Sequence, residues 1–217
     1  MPKVQIPYNY VVIEGNIGTG KTSFCQKMAY DYNVSLILEQ FNDNPFLPYF
    51  YKDPQRHAFT VELFFMTERF KQMQKSMQAA NLFHDFYLSD YAFIKTLLFA
   101  RKNLEEEEFK LFQMLYSIME KNFPTPDLLV YFHRDTEVLM KNIEKRGRKI
   151  EEDIKEEYLK KVQNSYFEYF RDITSFPVLI IDLKELDFIA NPNIYDMVLG
   201  LISKQYNPGV HRISLNT

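Results

Sequence analysis

Five short apolar runs punctuate the chain: Tyr10-Val11-Val12-Ile13, Leu36-Ile37-Leu38, Phe86-Tyr87-Leu88-Ser89, Leu128 to Phe132, and Val178 to Ile181. Each is apolar along nearly its whole length rather than alternating, the pattern of strands covered on both faces of a parallel sheet. The stretches between them follow a helical period. The spacing predicts helices over about 21–31, then from Asp53-Pro54 to about Gln78, with Phe59, Leu63, Met66, Phe70 and Met73 on one stripe. Further helices are predicted over about 91–101, 105–122, 136–145, 152–171 and 192–205. Asn42-Asp43-Asn44-Pro45 reads as a turn that starts a helix. The Glu105–Glu108 run suits an exposed first helical turn, where carboxylates complement the dipole. The tail from Asn207 reads as loose. Strands alternating with helices predict one α/β domain over 1–217, with a five-stranded parallel sheet and helices on both faces.

The first strand, about 10–14, runs into Gly15-Asn16-Ile17-Gly18-Thr19-Gly20-Lys21-Thr22, which fits G-x-x-x-x-G-K-[ST]. A chance glycine turn would lack the preceding strand and the following helix, and both are present here. Glycines let backbone N–H groups turn inward around a phosphate, and the helix N-terminus adds partial positive charge. The motif assigns Lys21 to the β- and γ-phosphates of ATP and the Thr22 hydroxyl to Mg²⁺.

Composition narrows the class. The 217 residues are 46% hydrophobic, enough for a sizeable core. A net charge of -3 argues against a nucleic-acid polymer as partner. A single cysteine, Cys25, predicts a reducing cytoplasm and, inside a helix, a packing role. No apolar run approaches the ~20 residues a membrane span needs, and no signal-peptide pattern opens the chain. The 20 Phe and 15 Tyr supply core and, at a pocket, a surface on which a flat ligand can stack.

Ligands of open α/β sheets bind beyond the carboxyl ends of the strands. The second strand ends at Glu39 and the third at Asp90. Beside a triphosphate one carboxylate can hold Mg²⁺ and another can take a proton from an attacking hydroxyl. A strand-end carboxylate is often only a helix cap, but two flanking a P-loop point to chemistry. Lys145-Arg146-Gly147-Arg148-Lys149 lies between two helices and reads as a lid, about 142–152, whose arginines would stabilise charge on the transferred group. His133-Arg134-Asp135 copies the protein-kinase triplet without its partner Asn, so Asp135 or Thr136 is expected to cap the next helix.

Taken together, these residues resemble the deoxynucleoside kinases, especially the bacterial deoxyadenosine/deoxyguanosine kinases. The resemblance runs through nearly the whole chain. It is carried by Ile13 to Thr22, Leu38-Glu39, Asn44-Pro45-Phe46-Leu47, Phe50-Tyr51-Lys52-Asp53-Pro54, Ala58-Phe59, Asp90 and Arg146-Gly147-Arg148. It implies a P-loop kinase that moves the γ-phosphate of ATP to the 5'-hydroxyl of a deoxynucleoside, a purine by preference, in nucleotide salvage. By resemblance Glu39 is the base, Tyr51 and Glu151 hold the 3'-hydroxyl, Glu62 and Arg69 face the nucleobase, Asp90 supports Mg²⁺, and Arg146 and Arg148 clamp phosphates. The family also implies a homodimer formed through helix packing. Ionised Glu62 offers only acceptors and so matches the two donors of guanine, which favours deoxyguanosine with deoxyadenosine close behind. The competing arrangement is that Glu62 is simply held by Arg69.

Three positions depart from the family. Gln40 stands where Pro is common, Tyr91 where an Arg pairs with the catalytic Glu, and Glu62 where Gln is frequent. The missing Arg calls for another cation. Two other readings remain: a thymidylate-kinase-like enzyme, against which Asp90-Tyr91 argues, and a catalytically silent nucleotide-binding subunit, against which Lys21, Thr22, Glu39 and Asp90 argue.

Overall fold

The computed structural model describes residues 4–39, 44–78 and 83–215; the side chains of Tyr51, Met77, Gln78 and Ile150 lie outside that description. The expectations placed on Gln40, on the Asn42-Asp43 part of the turn and on the Tyr51 side chain therefore fall outside the described residues.

The sheet has six parallel strands in the order β2-β3-β1-β4-β5-β6. They are β1 (Tyr10–Gly15), β2 (Val34–Ile37), β3 (Phe86–Ser89), β4 (Leu128–His133), β5 (Pro177–Asp182) and β6 (Gly209–Ser214). The helices are α1 (Lys21–Asp31), α2 (Leu47–Lys52), α3 (Pro54–Gln78), α4 (Lys95–Asn103), α5 (Glu106–Glu120), α6 (Thr136–Arg146), α7 (Glu156–Arg171) and α8 (Pro192–Ile202). A short 3-10 turn covers Lys149–Glu151.

The sixth strand corrects the count of five, and with it the loose tail. β6 pairs with β5 from Pro177↔Gly209 to Asp182↔Ser214. Its residues, Gly-Val-His-Arg-Ile-Ser, alternate between half-buried and exposed. An edge strand with one wet face has no apolar run to announce it.

Alternation in β1 divides the core. Val11 and Ile13 face Phe24, Cys25 and Met28 of α1 and Ile194, Val198 and Ile202 of α8. Tyr10 and Val12 face Met73 of α3 and Val162, Tyr166 and Phe170 of α7. Cys25 is fully buried in the first layer, as its packing role required. Phe24 meets Phe132 and Phe188 edge-on, with centroids 5.0 and 5.3 Å apart. Truncating it to Ala is expected to cost about 3–5 kcal/mol, the range for a buried aromatic.

Helix ends moved by a few residues. α4 begins at Lys95 rather than about 91, because Ser89, Tyr91 and Ala92 are tied into a turn. α7 begins at Glu156, after the 3-10 turn. α5 opens on the acidic run, and the Glu105 N–H donates to the Glu108 carboxylate at 3.4 Å. Asp135 occupies the N-cap position of α6 without a side-chain cap bond, while the Thr136 hydroxyl donates to Glu156 at 2.6 Å.

Candidate active site

The P-loop sits at the carboxyl end of β1 and is fastened from several sides. The Asn16 amide donates to the Leu159 carbonyl of α7 at 2.8 Å, and the Asn142 amide of α6 donates to the Gly18 carbonyl at 2.8 Å. Arg134, from the set-aside triplet, donates to the Thr19, Lys184 and Leu186 carbonyls, tying the loop to the segment after β5. Gly20 has φ 93°, and a Cβ there would lie 2.9 Å from the Phe188 ring. Gly18 has φ 84° and faces the Leu139 carbonyl as closely. Both positions need glycine, for conformation and for space. The loop is thus tied to α6, α7 and the segment after β5.

Lys21 Nζ donates to the Gly15 and Asn16 carbonyls at 2.7 and 2.9 Å. Burial, helped by the charge of Lys95, pulls its amine down to about 8 despite three nearby carboxylates. An anionic phosphate would favour its charged form and raise it again. The Thr22 hydroxyl donates to Asp90 Oδ2 at 2.5 Å, and Asp90 Oδ1 accepts from the Glu39 N–H at 2.7 Å. A hydroxyl and a carboxylate side by side at the loop are hard oxygen donors of the kind Mg²⁺ takes, with water and phosphate completing its shell.

Glu39 lies two residues past β2, 7% exposed, and is held by two cations. Arg69 gives Nε and Nη2 to Oε1 at 2.9 and 2.5 Å, and Lys95 Nζ binds Oε2. Burial alone would raise this carboxyl, but the charges of Lys95 and Arg69 outweigh it and hold it at about 2. The third guanidinium nitrogen, Arg69 Nη1, donates to the Thr96 hydroxyl at 2.8 Å. Arg69 is thus engaged by Glu39 and Thr96; its proposed pairing with Glu62 is not what the structure holds.

Glu62 is 3% exposed and accepts from the Asn103 amide at 2.6 Å. Burial pushes its carboxyl up to about 7, against the pull of Asn103, Arg69 and Lys95. Glu62 and Arg69 lie two turns apart on α3, and Lys95 and Asn103 face them from α4. Together with Phe65 and Phe99 they wall a cavity of about 280 Å³ that reaches from the P-loop to the lid.

The segment expected to form a lid runs from the end of α6 through the 3-10 turn. Arg146 donates Nε and Nη2 to Glu151 Oε2 at 3.0 and 2.5 Å, and Arg148 lies 3.6 Å from Oε1. Both arginines line the cavity. Glu151, expected at a sugar hydroxyl, lines the cavity as well and pairs with both arginines.

Four contributors escaped the sequence reading. Lys95, Phe99 and Asn103 recur at i, i+4, i+8 on one face of α4, a polar-aromatic-polar stripe that lines the cavity. That stripe was the available signal for Lys95 and Asn103. Glu14 was visible only as a motif letter. It is fully buried beneath the loop, accepting from the Ala92 and Gly15 N–H groups and from the Tyr166 hydroxyl at 2.7, 3.1 and 2.9 Å. It joins the P-loop to the turn after β3.

Known proteins are similar to this chain over most of its length. The deoxyguanosine kinase of Bacillus subtilis is 26% identical over 90% of this chain and 96% of its own length. The deoxyadenosine kinase of Lactobacillus acidophilus is 28% identical over 90% and 95%. The structure of the M. mycoides deoxyadenosine kinase with dCMP and a flexible dCDP has the same fold, with a TM-score of 0.75, 21% identity, and coverage of 88% of this chain and 97% of that one. Among the described residues no helix is long and apolar enough to cross a membrane. The deoxynucleoside kinase family model matches residues 11–206, from the first strand to beyond the last helix, and the chain belongs to that family.

Proposed function

We propose that this kinase transfers the γ-phosphate of ATP to the 5'-hydroxyl of a purine deoxynucleoside, as part of nucleotide salvage in the cytoplasm. The observation that carries the proposal is the division of one cavity: P-loop, Lys21 and the Glu39 cluster at one end, Glu62 with Asn103 at the other. A triphosphate belongs at the first end. A nucleobase edge, which needs donors and acceptors in a buried slot, belongs at the second.

In this reading Glu39 orients the 5'-hydroxyl and takes its proton. Lys21 and the loop amides hold the β- and γ-phosphates, and Arg146 and Arg148 close over the transferred group. Thr22 and Asp90 would hold Mg²⁺, which would supply positive charge beside the phosphates. The purine preference rests on Glu62. Ionised, it accepts from guanine N1–H and the 2-amino group; protonated, it can donate to adenine N1 and accept from the 6-amino group. With its carboxyl near 7, both purines fit. Arg69, tied to Glu39, holds the base carboxylate in place rather than reading the nucleobase.

The same proposal includes a homodimer. Leu111, Met114 and Ile118 are 47%, 59% and 65% exposed on one face of α5, and two such faces can cover each other. Sedimentation should give twice the 26.0 kDa chain mass.

The deciding experiment is a panel of the four deoxynucleosides, with deoxynucleoside monophosphates as controls, incubated with ATP and Mg²⁺. Phosphorylation of deoxyguanosine and deoxyadenosine above the pyrimidines, abolished in Lys21→Ala, is the expected result. Transfer to monophosphates, or none at all from folded protein, overturns the reading.

A further inference from the structure

We propose that Lys95 is a cation of the phosphoryl-transfer step itself, neutralising Glu39 before reaction and the transferred phosphoryl group during it. The inference rests on the kinase reading above. Lys95 stands at the start of α4, 4% exposed, with Nζ on Glu39 Oε2 and the Phe99 ring 5.6 Å away. It lines the same cavity as Lys21, Arg146 and Arg148. A cation between a buried carboxylate and a phosphate-binding cavity serves two anions, unlike a pair sealed in a core.

The other cations of the site are each tied to partners of their own. Arg69 spends three nitrogens on Glu39 and Thr96. Arg146 and Arg148 are paired with Glu151, and Lys21 is held at the loop. Tyr91, next to Asp90, is wholly buried, and its hydroxyl donates to Gln72 at 3.1 Å, within the core. Position 91 therefore brings no charge to the cavity. Lys95 is a point charge with three rotatable donors on a flexible stem. It can reach a second anion while Arg69 keeps Glu39 in place.

Charge bookkeeping gives the reason it should. In the transfer, the 5'-oxygen forms a bond to the γ-phosphorus. The bond from that phosphorus to the bridging oxygen breaks, and its electron pair leaves with ADP. The hydroxyl proton passes to Glu39, which becomes neutral. One unit of negative charge thus moves from Glu39 to the phosphates. A fixed partner of Glu39 would be stranded opposite a neutral acid. A lysine touching both sides follows the charge, and a contact that strengthens in the transition state raises kcat.

The test uses Lys95→Met, Lys95→Arg, Glu39→Gln and the double variant Glu39→Gln/Lys95→Met in the full chain. Lys95→Met should lower kcat about 10²-fold, the scale for losing one charge-stabilising donor, with the Kd for ATP from equilibrium dialysis changed only a few-fold. Lys95→Arg should recover most of that loss. The double variant removes both charges of that contact; with its fold checked by circular dichroism, it should be about tenfold slower than Glu39→Gln alone. Equal rates for the double variant and Glu39→Gln would confine Lys95 to holding Glu39 and overturn the proposal. So would a wild-type kcat in Lys95→Met, a loss confined to KM, or an ATP-binding Lys95→Arg as slow as Lys95→Met. These outcomes all presuppose an active wild type; its inactivity removes the kinase reading instead.

Discussion

The two ends of the cavity carry the same functional group in opposite states. Glu39 and Glu62 are glutamates of nearly equal burial, 7% and 3% exposed. Burial pushes both carboxyls upward. At the phosphate end two cations in direct contact reverse the push, and Glu39 stays ionised. At the nucleobase end the direct contact is a neutral amide, the same cations act only at a distance, and Glu62 rises to about 7. Burial decides nothing by itself; contact charge decides which carboxylate is a permanent anion and which can exchange a proton. A permanent anion suits chemistry that must work at any physiological pH. A titrating one suits recognition of bases that differ by where their hydrogens lie.

The strongest challenge to this division is removal of the permanent anion. Glu39→Gln keeps the shape and is expected to lower kcat by about 10²–10⁴-fold, the range for losing a positioned base. A folded variant with nearly wild-type kcat would dissolve the distinction between the two ends. Arg146→Ala and Arg148→Ala come next. Each should reduce kcat by about 10²-fold and raise the KM for the deoxynucleoside much less, because the contact strengthens as charge spreads over the phosphoryl group. A pure KM effect would return the lid to a ground-state role.

The phosphate end was legible in the sequence, because its chemistry is local. Gly15 to Thr22 are consecutive, and Glu39 and Asp90 close apolar runs that announce strands. The nucleobase end is built across helices. Glu62 could be singled out, but its partner Asn103 lies 41 residues away and meets it only because α3 and α4 run side by side. A separation of 56 residues hid Lys95, the cation at Glu39, which the unexpected Tyr91 required from somewhere. Arg69 was placed near Glu62 because both lie on one helical face; the carboxylate of Glu39, supplied by another element, captured it. β6 was missed for a different reason, since an edge strand with a solvated face carries no apolar run.

A gentler perturbation separates the ends by substrate choice. Glu62→Gln replaces a titrating acid by an amide with a fixed donor and acceptor, which suits adenine. The ratio of kcat/KM for deoxyguanosine to that for deoxyadenosine should fall about tenfold, within the 1–3 kcal/mol of a bidentate base contact. Turnover of the preferred substrate should change little, since Glu39 and its cations remain. A mutant ratio that stays put would remove Glu62 from base recognition and leave the kinase assignment intact.

The smallest effect probes the proton itself. Burial raises the Glu62 carboxyl from its ordinary value to about 7, so it is protonated on the acid side of neutrality and ionised on the basic side. The protonated form matches adenine and the ionised form matches guanine. The deoxyguanosine to deoxyadenosine ratio of the wild type should therefore climb severalfold between about pH 6 and pH 8, and in Glu62→Gln it should be flat. Stability carries the same sign. A group whose pKa is raised on folding contributes stability that is complete below its unfolded value of 4.5 and is lost as pH rises through about 7. The Tm of the ligand-free wild type should thus decline relative to that of Glu62→Gln over this window. A wild-type ratio independent of pH, with Tm curves that run parallel, would mean that Glu62 keeps one protonation state throughout, and the contrast with Glu39 would be one of position alone.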